Sequence, residues 1–460
     1  SVSSEDTYKT GDALMGRLFY SFKDKYMLTA SVRRDGYSAF GSMNPHAVFP
    51  AVALGWVFTS EKFMEKTSDW LNYGKLRFSW GQNGNRDIGQ YEALAQLNSG
   101  AYTYVDPNGN VYLTSQVYIN RMPNSSLKWE RTASYNIGLD FSLFGDKLSG
   151  SMETYMAESN DLLVNRSLPS ILGYASVMAN LGALTNRGFE LSLNANLINR
   201  DNFSWNSTGT FSFNRRKIKH LYGDVEEVKD EAGNVIGYKE ADDYENQWFI
   251  GHDTEQIWDY ERDGVWQLGE EEAAAQYNAK VGDIKIKDQN GDGSISAADD
   301  RVILGQVRPK WMASLGANIQ YKNFDFSFNL NSRWGYLVKP SPYDDVTMDG
   351  QRWLPSIDYW TPDNPSNSFP RADQVSTYDT YRSCNGYQKG DHIKIQDVTL
   401  GYSFESLFSE KVPFKKLRFY VQMRNIGYLY RAAEFDIIPE QPNINFTVPS
   451  SYNFGVNVTF

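Results

Sequence analysis

The chain has 460 residues, of which 41% are hydrophobic and 15% aromatic, and its formal net charge is −11. A helical membrane protein is excluded, because a spanning helix needs about 20 consecutive apolar residues and no run in the sequence approaches that length. The high aromatic content argues against disorder, and the negative charge gives no support to nucleic-acid binding, which requires a basic face.

Residue types suited to catalysis are sparse. The one cysteine, Cys384, excludes a disulfide framework and a multi-cysteine zinc site. The four histidines are too widely spaced for an HExxH metal motif. The sequence also lacks a GxSxG elbow and a P-loop, and no general base can be assigned to Cys384. We therefore expect a protein that is not an enzyme.

The N-terminal residues Ser1–Ser4 have neither the basic start nor the apolar core of a signal peptide. Two explanations stay open at this point. Either the protein is cytoplasmic, or residues that precede Ser1 in the complete protein are missing from this chain.

Apolar and polar residues alternate with a period of two along much of the sequence. Between Ala133 and Leu143, for example, the odd positions are apolar or aromatic and the even positions are polar or small. Such alternation predicts β-strands with one apolar and one polar face. In chain order the pattern predicts thirteen strands, near residues 14–22, 26–34, 47–58, 74–82, 131–144, 147–158, 187–198, 203–214, 311–321, 324–334, 393–404, 416–426 and 451–460.

The connections between these strands alternate between short and long. Joins such as 23–25 and 322–323 are short, two others are of middle length, and the longest covers about 215–310. Outer-membrane barrels have this asymmetry, with short periplasmic turns, long external loops and strands of about ten residues. The pattern therefore predicts an all-β fold, a transmembrane antiparallel β-barrel with apolar residues toward lipid. A soluble all-β protein is the alternative.

Thirteen strands cannot close a barrel in lipid. Single-chain bacterial barrels have even strand numbers, and an open edge would leave backbone groups unpaired. We therefore expect residues 1–460 to be the C-terminal part of a larger barrel, with a long external loop at about 215–310. In a 22-stranded transporter, the size class with a plugged lumen, the first predicted strand would be the tenth. The alternating run from Tyr452 to Phe460 would be the last.

The long loop contains a calcium-type sequence, DQNGDGSISAAD, at 288–299. This spacing predicts a Ca²⁺ site. Its ligands would be the side chains of Asp288, Asn290, Asp292 and Asp299 and the carbonyl of Ser294. A single copy without suitably spaced flanking helices favours a structural ion over a regulatory sensor. An acidic turn without metal is the alternative.

The same loop is acidic and rich in aromatic residues. Residues 222–302 contain 22 acidic and 7 basic side chains, a net charge of −15, while the rest of the chain carries +4. Four rings, those of Trp248, Trp258, Tyr260 and Trp266, lie among carboxylates and amides, a combination that suits stacking on sugars. We predict that they bind a neutral glycan, because the loop repels anions. A small core of the loop itself is the alternative.

Five stretches of sequence carry a family resemblance. They are LNYGKLRFSWGQNGN at 71–85, GDIK with the calcium-type sequence at 282–293, YWTPDNP and PR within 359–371, GDHIKIQDVTLGYSF at 390–404, and LRFYVQMRNI at 417–426. In this order they resemble the SusC/RagA family of TonB-dependent outer-membrane transporters. The departures are His392, where the family usually has an aromatic residue, and Ile286 with Lys287 before the calcium-type sequence.

The resemblance implies a nutrient importer that lies in the lipid of the bacterial outer membrane. Energy would be delivered by TonB, through a plug and a TonB-binding segment N-terminal to Ser1. A SusD-type lipoprotein would cover the external loops and capture the substrate. The substrate is expected to be an oligosaccharide, with a peptide as the alternative. A passive porin or adhesin barrel and a soluble calcium-dependent lectin are the other classes that the sequence leaves open.

Overall fold

Long antiparallel β-strands dominate the structure. Thirteen of them form one sheet, and the order of the strands in the sheet follows the order in the chain. The computed structural model describes residues 6–168, 170–174, 176–230, 232–339, 358–371, 381, 384, 386–404, 416–433, 438–441 and 448–459.

All thirteen predicted strands are confirmed. They are β1 (Gly11–Phe22), β2 (Tyr26–Tyr37), β3 (His46–Val57), β4 (Leu71–Asn85), β5 (Glu130–Leu143), β6 (Leu148–Asn160), β7 (Ala183–Arg200), β8 (Phe203–His220), β9 (Trp311–Tyr321), β10 (Phe324–Trp334), β11 (His392–Phe404), β12 (Lys416–Arg431) and β13 (Ser451–Thr459). The largest shift of a single strand end is at β8, which continues six residues past Asn214 to His220. Phe460, predicted to end the last strand, lies outside the described residues.

Tight turns join neighbouring strands at one end of the sheet. Lys23 and Asp24, between β1 and β2, both have φ near 53°, and Lys322, between β9 and β10, has φ of 51°. Two successive residues of positive φ give a hairpin turn whose twist matches that of the paired strands. The β1–β2 turn thereby sets the register, with Phe22 opposite Tyr26.

The chain divides into two compact units. Unit 1 comprises residues 1–189 and 214–254, and unit 2 comprises residues 190–213 and 255–460. The described part of the chain contains no helix that is long and apolar enough to cross a membrane. Its helices are the α-helix Glu271–Gln276 and the 3₁₀ turns Phe58–Ser60, Lys62–Thr67 and Ser170–Leu172.

Further strands lie in the connections between the long strands of both units. In unit 1, four form a small sheet in the order Gln96–Val105, Val111–Met122, Ser176–Asn180, Leu163–Ser167, and Val225–Lys229 pairs with Val235–Glu240. In unit 2, Gln256–Tyr260 pairs with Arg301–Gln306, Arg262–Val265 with Ile284–Ile286, and Leu337–Val338 with Gln388–Lys389.

One face of the long strands in unit 1 is apolar. Cross-strand pairing forms a row in which successive neighbours are Tyr20, Leu28, Leu54, Phe78 and Ile137. Ile137 is 50% exposed, and Tyr20 and Leu54 are exposed as well. Large apolar side chains in a continuous exposed row are what contact with lipid requires.

The opposite face of the same strands is polar. The Arg77 guanidinium donates hydrogen bonds to both carboxylate oxygens of Asp140 at 2.8 Å and to Glu153 at 2.6 Å. The Asn136 amide also donates to Glu153, at 3.1 Å. Gly138 makes room for this network, since a Cβ there would lie 2.9 Å from the Arg77 guanidinium carbon. The predicted polar face of β5 is thus an ion-pair network.

Unit 2 has the same two-faced strands. Its apolar row has the successive neighbours Trp205, Ile319, Phe326, Leu400, Val421 and Phe454, and Phe454 is 79% exposed. On the polar face, Arg418 pairs with Asp325 through two hydrogen bonds of 2.8 and 2.5 Å. Polar side chains on one face and lipid-suited side chains on the other define a membrane-spanning wall.

Candidate functional site

The calcium-type loop, residues 288–299, is wound around the Asp288 carboxylate. This carboxylate accepts hydrogen bonds from the Gly291 and Gly293 amides at 2.6 and 2.8 Å and from the Tyr277 hydroxyl at 3.1 Å. The Gly293 amide is the main reason why the pKa of Asp288 lies below its usual range. Gly291 and Gly293 have φ of 75° and 85°, a conformation that glycine adopts at low cost.

The other predicted side-chain ligands of calcium have different hydrogen-bond partners in the loop. Asp292 accepts a hydrogen bond from the Asn290 amide at 2.9 Å, and its charge works against ionisation of Asp288, since it acts to raise the pKa of that carboxyl. Asp299 instead accepts a hydrogen bond from the Ser296 hydroxyl at 2.9 Å. Across the described residues, no three His, Cys, Asp or Glu side chains form a group that could hold a metal ion.

Asp300 was missed by the sequence reasoning, although it closes this loop. Its side chain is fully buried. It accepts hydrogen bonds from the backbone N–H groups of Gln289 at 2.8 Å and Ser296 at 2.7 Å. The sequence hints at this role only through the adjacent pair Asp299-Asp300. The spacing of the calcium-type sequence selected Asp299 as a ligand and assigned no role to Asp300.

The four predicted ligand-binding aromatics do not share one environment. Trp248 belongs to unit 1, where it is half-buried and lines an apolar cavity of about 110 Å³. Trp258 and Tyr260 belong to unit 2, and the Arg301 guanidinium lies 5.2 and 4.9 Å from their ring centres. A cation held against an aromatic face occupies the surface on which a sugar would stack.

Tyr260 and Trp266 are each only 6% exposed. Tyr260 packs in a cluster with Ile284, Ile286 and Cys384. Trp266 stacks with Tyr277 at 5.9 Å, and Lys285 Nζ lies 4.4 Å from its ring centre. Trp266 thus packs within the loop, whereas Tyr260 packs partly against Cys384 from outside the loop. The proposed sugar contacts of all four aromatic residues stay predictions.

Cys384 is buried in the same cluster as Tyr260. Burial raises the pKa of its thiol to about 12. Since the thiolate is the reactive form, we expect the folded protein to react with a disulfide reagent at pH 8 about a thousandfold more slowly than free cysteine. The same protein in denaturant serves as the control and should react fully. Complete labelling of the folded protein within minutes would contradict this placement.

Two cavities open on the polar face of unit 1, at the ends of β1, β2 and β4 that lie away from the tight turns. Their volumes are about 780 and 460 Å³, and they share Arg33, Asp35, Gly84 and Arg86. Trp129 lines the second cavity. The sequence reasoning did not identify this site, because its side chains come from strands that are distant in sequence.

An aromatic cluster supports these cavities. The rings of Phe40 and Trp129 stack at 4.8 Å, Phe49 meets Trp129 edge-on at 5.7 Å, and Tyr37 meets Phe40 edge-on at 6.1 Å. Gly84 permits this packing, since a Cβ there would lie 2.1 Å from the Phe49 ring. The floor of the site is therefore a buried aromatic cluster, while charged side chains lie at its rim.

Comparison with known proteins agrees with this architecture. A family model described as "TonB dependent receptor-like, beta-barrel" matches residues 1–426. The chain is 31% identical over 447 residues to TonB-dependent receptor P39 of Formosa agariphila, with 90% of this chain and 42% of that protein covered. It is 29% identical over 420 residues to TonB-dependent receptor SusC of Bacteroides thetaiotaomicron, with 88% and 39% covered.

Solved structures show the same fold. The RagAB peptide transporter superposes with a TM-score of 0.73 at 22% identity, with 98% of this chain and 48% of that chain covered. The fold is thus that of an outer-membrane β-barrel. The chain belongs to the TonB-dependent receptor β-barrel family, and it spans about two fifths of the length of the curated relatives it matches.

Proposed function

We propose that the complete protein imports nutrients, oligosaccharides foremost, across the outer membrane with energy delivered by TonB. The two-faced strands carry this proposal. Their apolar rows suit the lipid, and a polar face with ion-paired Arg77 and Arg418 suits a water-filled path that a polar nutrient can cross. Membership of the TonB-dependent receptor family supports the energy source.

We further propose that a SusD-type lipoprotein acts with this protein at its external loops. The similarity to SusC supports the pairing, and RagAB is described as a peptide transporter, which makes peptides the second candidate substrate. Deletion of the gene in its host, followed by growth on defined oligosaccharides or peptides, tests both. We expect loss of growth on one class, restored by the full-length gene only when TonB is functional. Unchanged growth on every nutrient would contradict import.

We propose that the calcium-type loop binds Ca²⁺ as a structural ion. The ion would be bound by the side chains of Asp288, Asn290, Asp292 and Asp299 and by the Ser294 carbonyl. Carboxylate and carbonyl oxygens are the ligands that Ca²⁺ prefers. The Asp299 carboxylate would give up the hydrogen bond that it accepts from the Ser296 hydroxyl and bind the ion instead. The positive charge would relieve the repulsion within a segment of net charge −15 and stabilise its folded conformation.

Limited trypsin digestion of the full-length protein tests the calcium site. Cleavage after Lys287 and Arg301, which flank the loop, should be several times slower in calcium than in a chelator, because the ion would hold the loop closed. A double variant, Asp288→Ala with Asp292→Ala, should lose this difference, whereas Asp263→Ala, which removes another carboxylate of the segment, should keep it. Equal protection of the double variant and the wild type would exclude the site.

A further inference from the structure

Arg86 is an exposed cation on the rim of the two cavities of unit 1. Its guanidinium lies 5.3 Å from the centre of the Tyr37 ring. Among the described residues, no carboxylate lies within ion-pair distance of it. An arginine that stacks on an aromatic ring keeps its N–H edges free, and these edges match the two oxygens of a carboxylate.

The aromatic cluster beneath Arg86 holds it in place. Tyr37, on which the guanidinium lies, packs against the cluster of Phe40, Phe49 and Trp129. Trp129 is 3% exposed, and its indole N–H has no hydrogen-bond partner in the described part of the chain. A rigid support lowers the entropy cost of binding at Arg86.

The other charged groups of the larger cavity are mostly paired. Arg33 binds Asp35 through hydrogen bonds of 2.8 Å, and Asp12 lies 3.1 Å from His46 and 3.7 Å from Arg34. Three charges that also line the cavity, Lys9, Arg86 and Asp87, form no ion pair within the described residues. The charged groups without an ion-pair partner among the described residues are thus two cations and one carboxylate, which leaves Arg86 and Lys9 available to a carboxylate ligand.

We propose that Arg86, assisted by Lys9, forms a subsite for a carboxylate group of the transported ligand. The inference rests on the proposed import function and adds a chemical requirement to it. It places an anionic group of the ligand on residues of the polar face of unit 1 that do not belong to the acidic segment that suggested a neutral ligand. The carboxylate could belong to a uronic acid of an oligosaccharide or to a peptide, because both present the same two oxygens to Arg86.

Binding to the purified full-length protein in detergent tests the subsite without transport. Two pairs of probes separate the two sources: tetragalacturonate against its methyl ester, and N-acetyl-tetraalanine against its C-terminal amide. We expect the wild type to bind the acid of at least one pair at least about fivefold more tightly than the neutral form, since a hydrogen-bonded charge pair contributes about 1 kcal/mol or more. The responding pair identifies the source.

Three variants and one control make the test specific. Arg86→Ala should abolish the preference for the acid, Arg86→Lys should keep part of it, and Asp87→Asn should increase it by removing a repelling charge. Arg17→Ala, which removes a cation of β1 that lines neither cavity, should leave it unchanged. No preference in the wild type, or a preference that survives Arg86→Ala, would overturn the proposal. Import itself is judged separately by growth, so that failure of one leaves the other intact.

Discussion

Replacing Ile137 by lysine is expected to lower the free energy of unfolding of the full-length protein in lipid by about 2–4 kcal/mol. Ile137 lies in the middle of β5, in the apolar row beside Phe78, and half of its side chain is exposed. A lysine there would place its ammonium against lipid tails. The effect is measured by urea unfolding in lipid vesicles. The folded fraction is monitored by gel electrophoresis, in which the folded barrel and the unfolded chain migrate differently.

Asn136→Lys is the matched control for this substitution. Asn136 precedes Ile137 on the same strand, so that its side chain points to the opposite face, where it hydrogen-bonds Glu153. A lysine at this position can pair with the same carboxylate, and we expect its stability to stay within about 1 kcal/mol of the wild type. Equal destabilisation by both substitutions would contradict the assignment of the two faces.

The second large effect is expected at Glu440, which ties residues 438–441 to the ends of β11 and β12. Its carboxylate lies 3.1 Å from Lys394 Nζ and 3.5 Å from His392 Nε2, and it accepts a 2.6 Å hydrogen bond from the Tyr428 hydroxyl. His392 is fully buried and Lys394 is 7% exposed. His392, which departs from the family sequence, thus lies in the contact that holds Glu440. We call this contact of Glu440 with His392, Lys394 and Tyr428 the anchor.

Glu440→Leu should therefore release residues 438–441. The substitution leaves the buried Lys394 ammonium without its carboxylate partner. Breaking a buried ion pair in this way lowers the stability of the folded state by about 3–5 kcal/mol. Hydrogen exchange of the segment should accelerate strongly, while exchange in the long strands stays unchanged. Glu440→Gln, which keeps the shape and the contact with Tyr428, should give a smaller acceleration. Wild-type exchange rates in the leucine variant would show that the anchor does not hold the segment.

The anchor should also depend on pH. Burial opposes ionisation of Glu440, but hydrogen bonds from the Tyr428 hydroxyl and the Lys394 ammonium, together with the neighbouring His392, outweigh it and hold the pKa of Glu440 below its usual value of 4.5. A carboxyl whose pKa is lower in the folded state contributes stability above its unfolded pKa and loses it as the pH falls through the folded value. Segment 438–441 should thus stay protected at neutral pH and open in acid.

The thirteen long strands could be predicted because each has one apolar and one polar face, which is a local property of the sequence. The hairpin Gln96–Val105 with Val111–Met122 was missed for a physical reason. Leu97 and Val105 lie on one of its faces and Tyr102 and Tyr104 on the other, so that no period of two separates apolar from polar positions. Its sequence alone does not distinguish it from a loop.

The candidate sites also divide into those that a local sequence pattern predicts and those that depend on contacts between distant residues. The calcium-type loop was found because its oxygen-bearing residues are adjacent in sequence. The burial of Trp266, by contrast, depends on Lys285 and Tyr277, whose contacts require the folded loop. Arg86 and its support from Tyr37 combine residues of β2 with residues that follow β4, and no spacing rule connects them.

The long strands face lipid on one side and water on the other. Nitroxide labels at single cysteines introduced from 133 to 143, in the full-length protein in lipid vesicles, test it most directly. Labels at odd positions should collide with lipid-soluble oxygen, whereas those at Ser134, Asn136, Asp140 and Ser142 should collide with a water-soluble nickel reagent. Equal accessibility at both sets of positions would contradict the assignment of one face to lipid and the other to water.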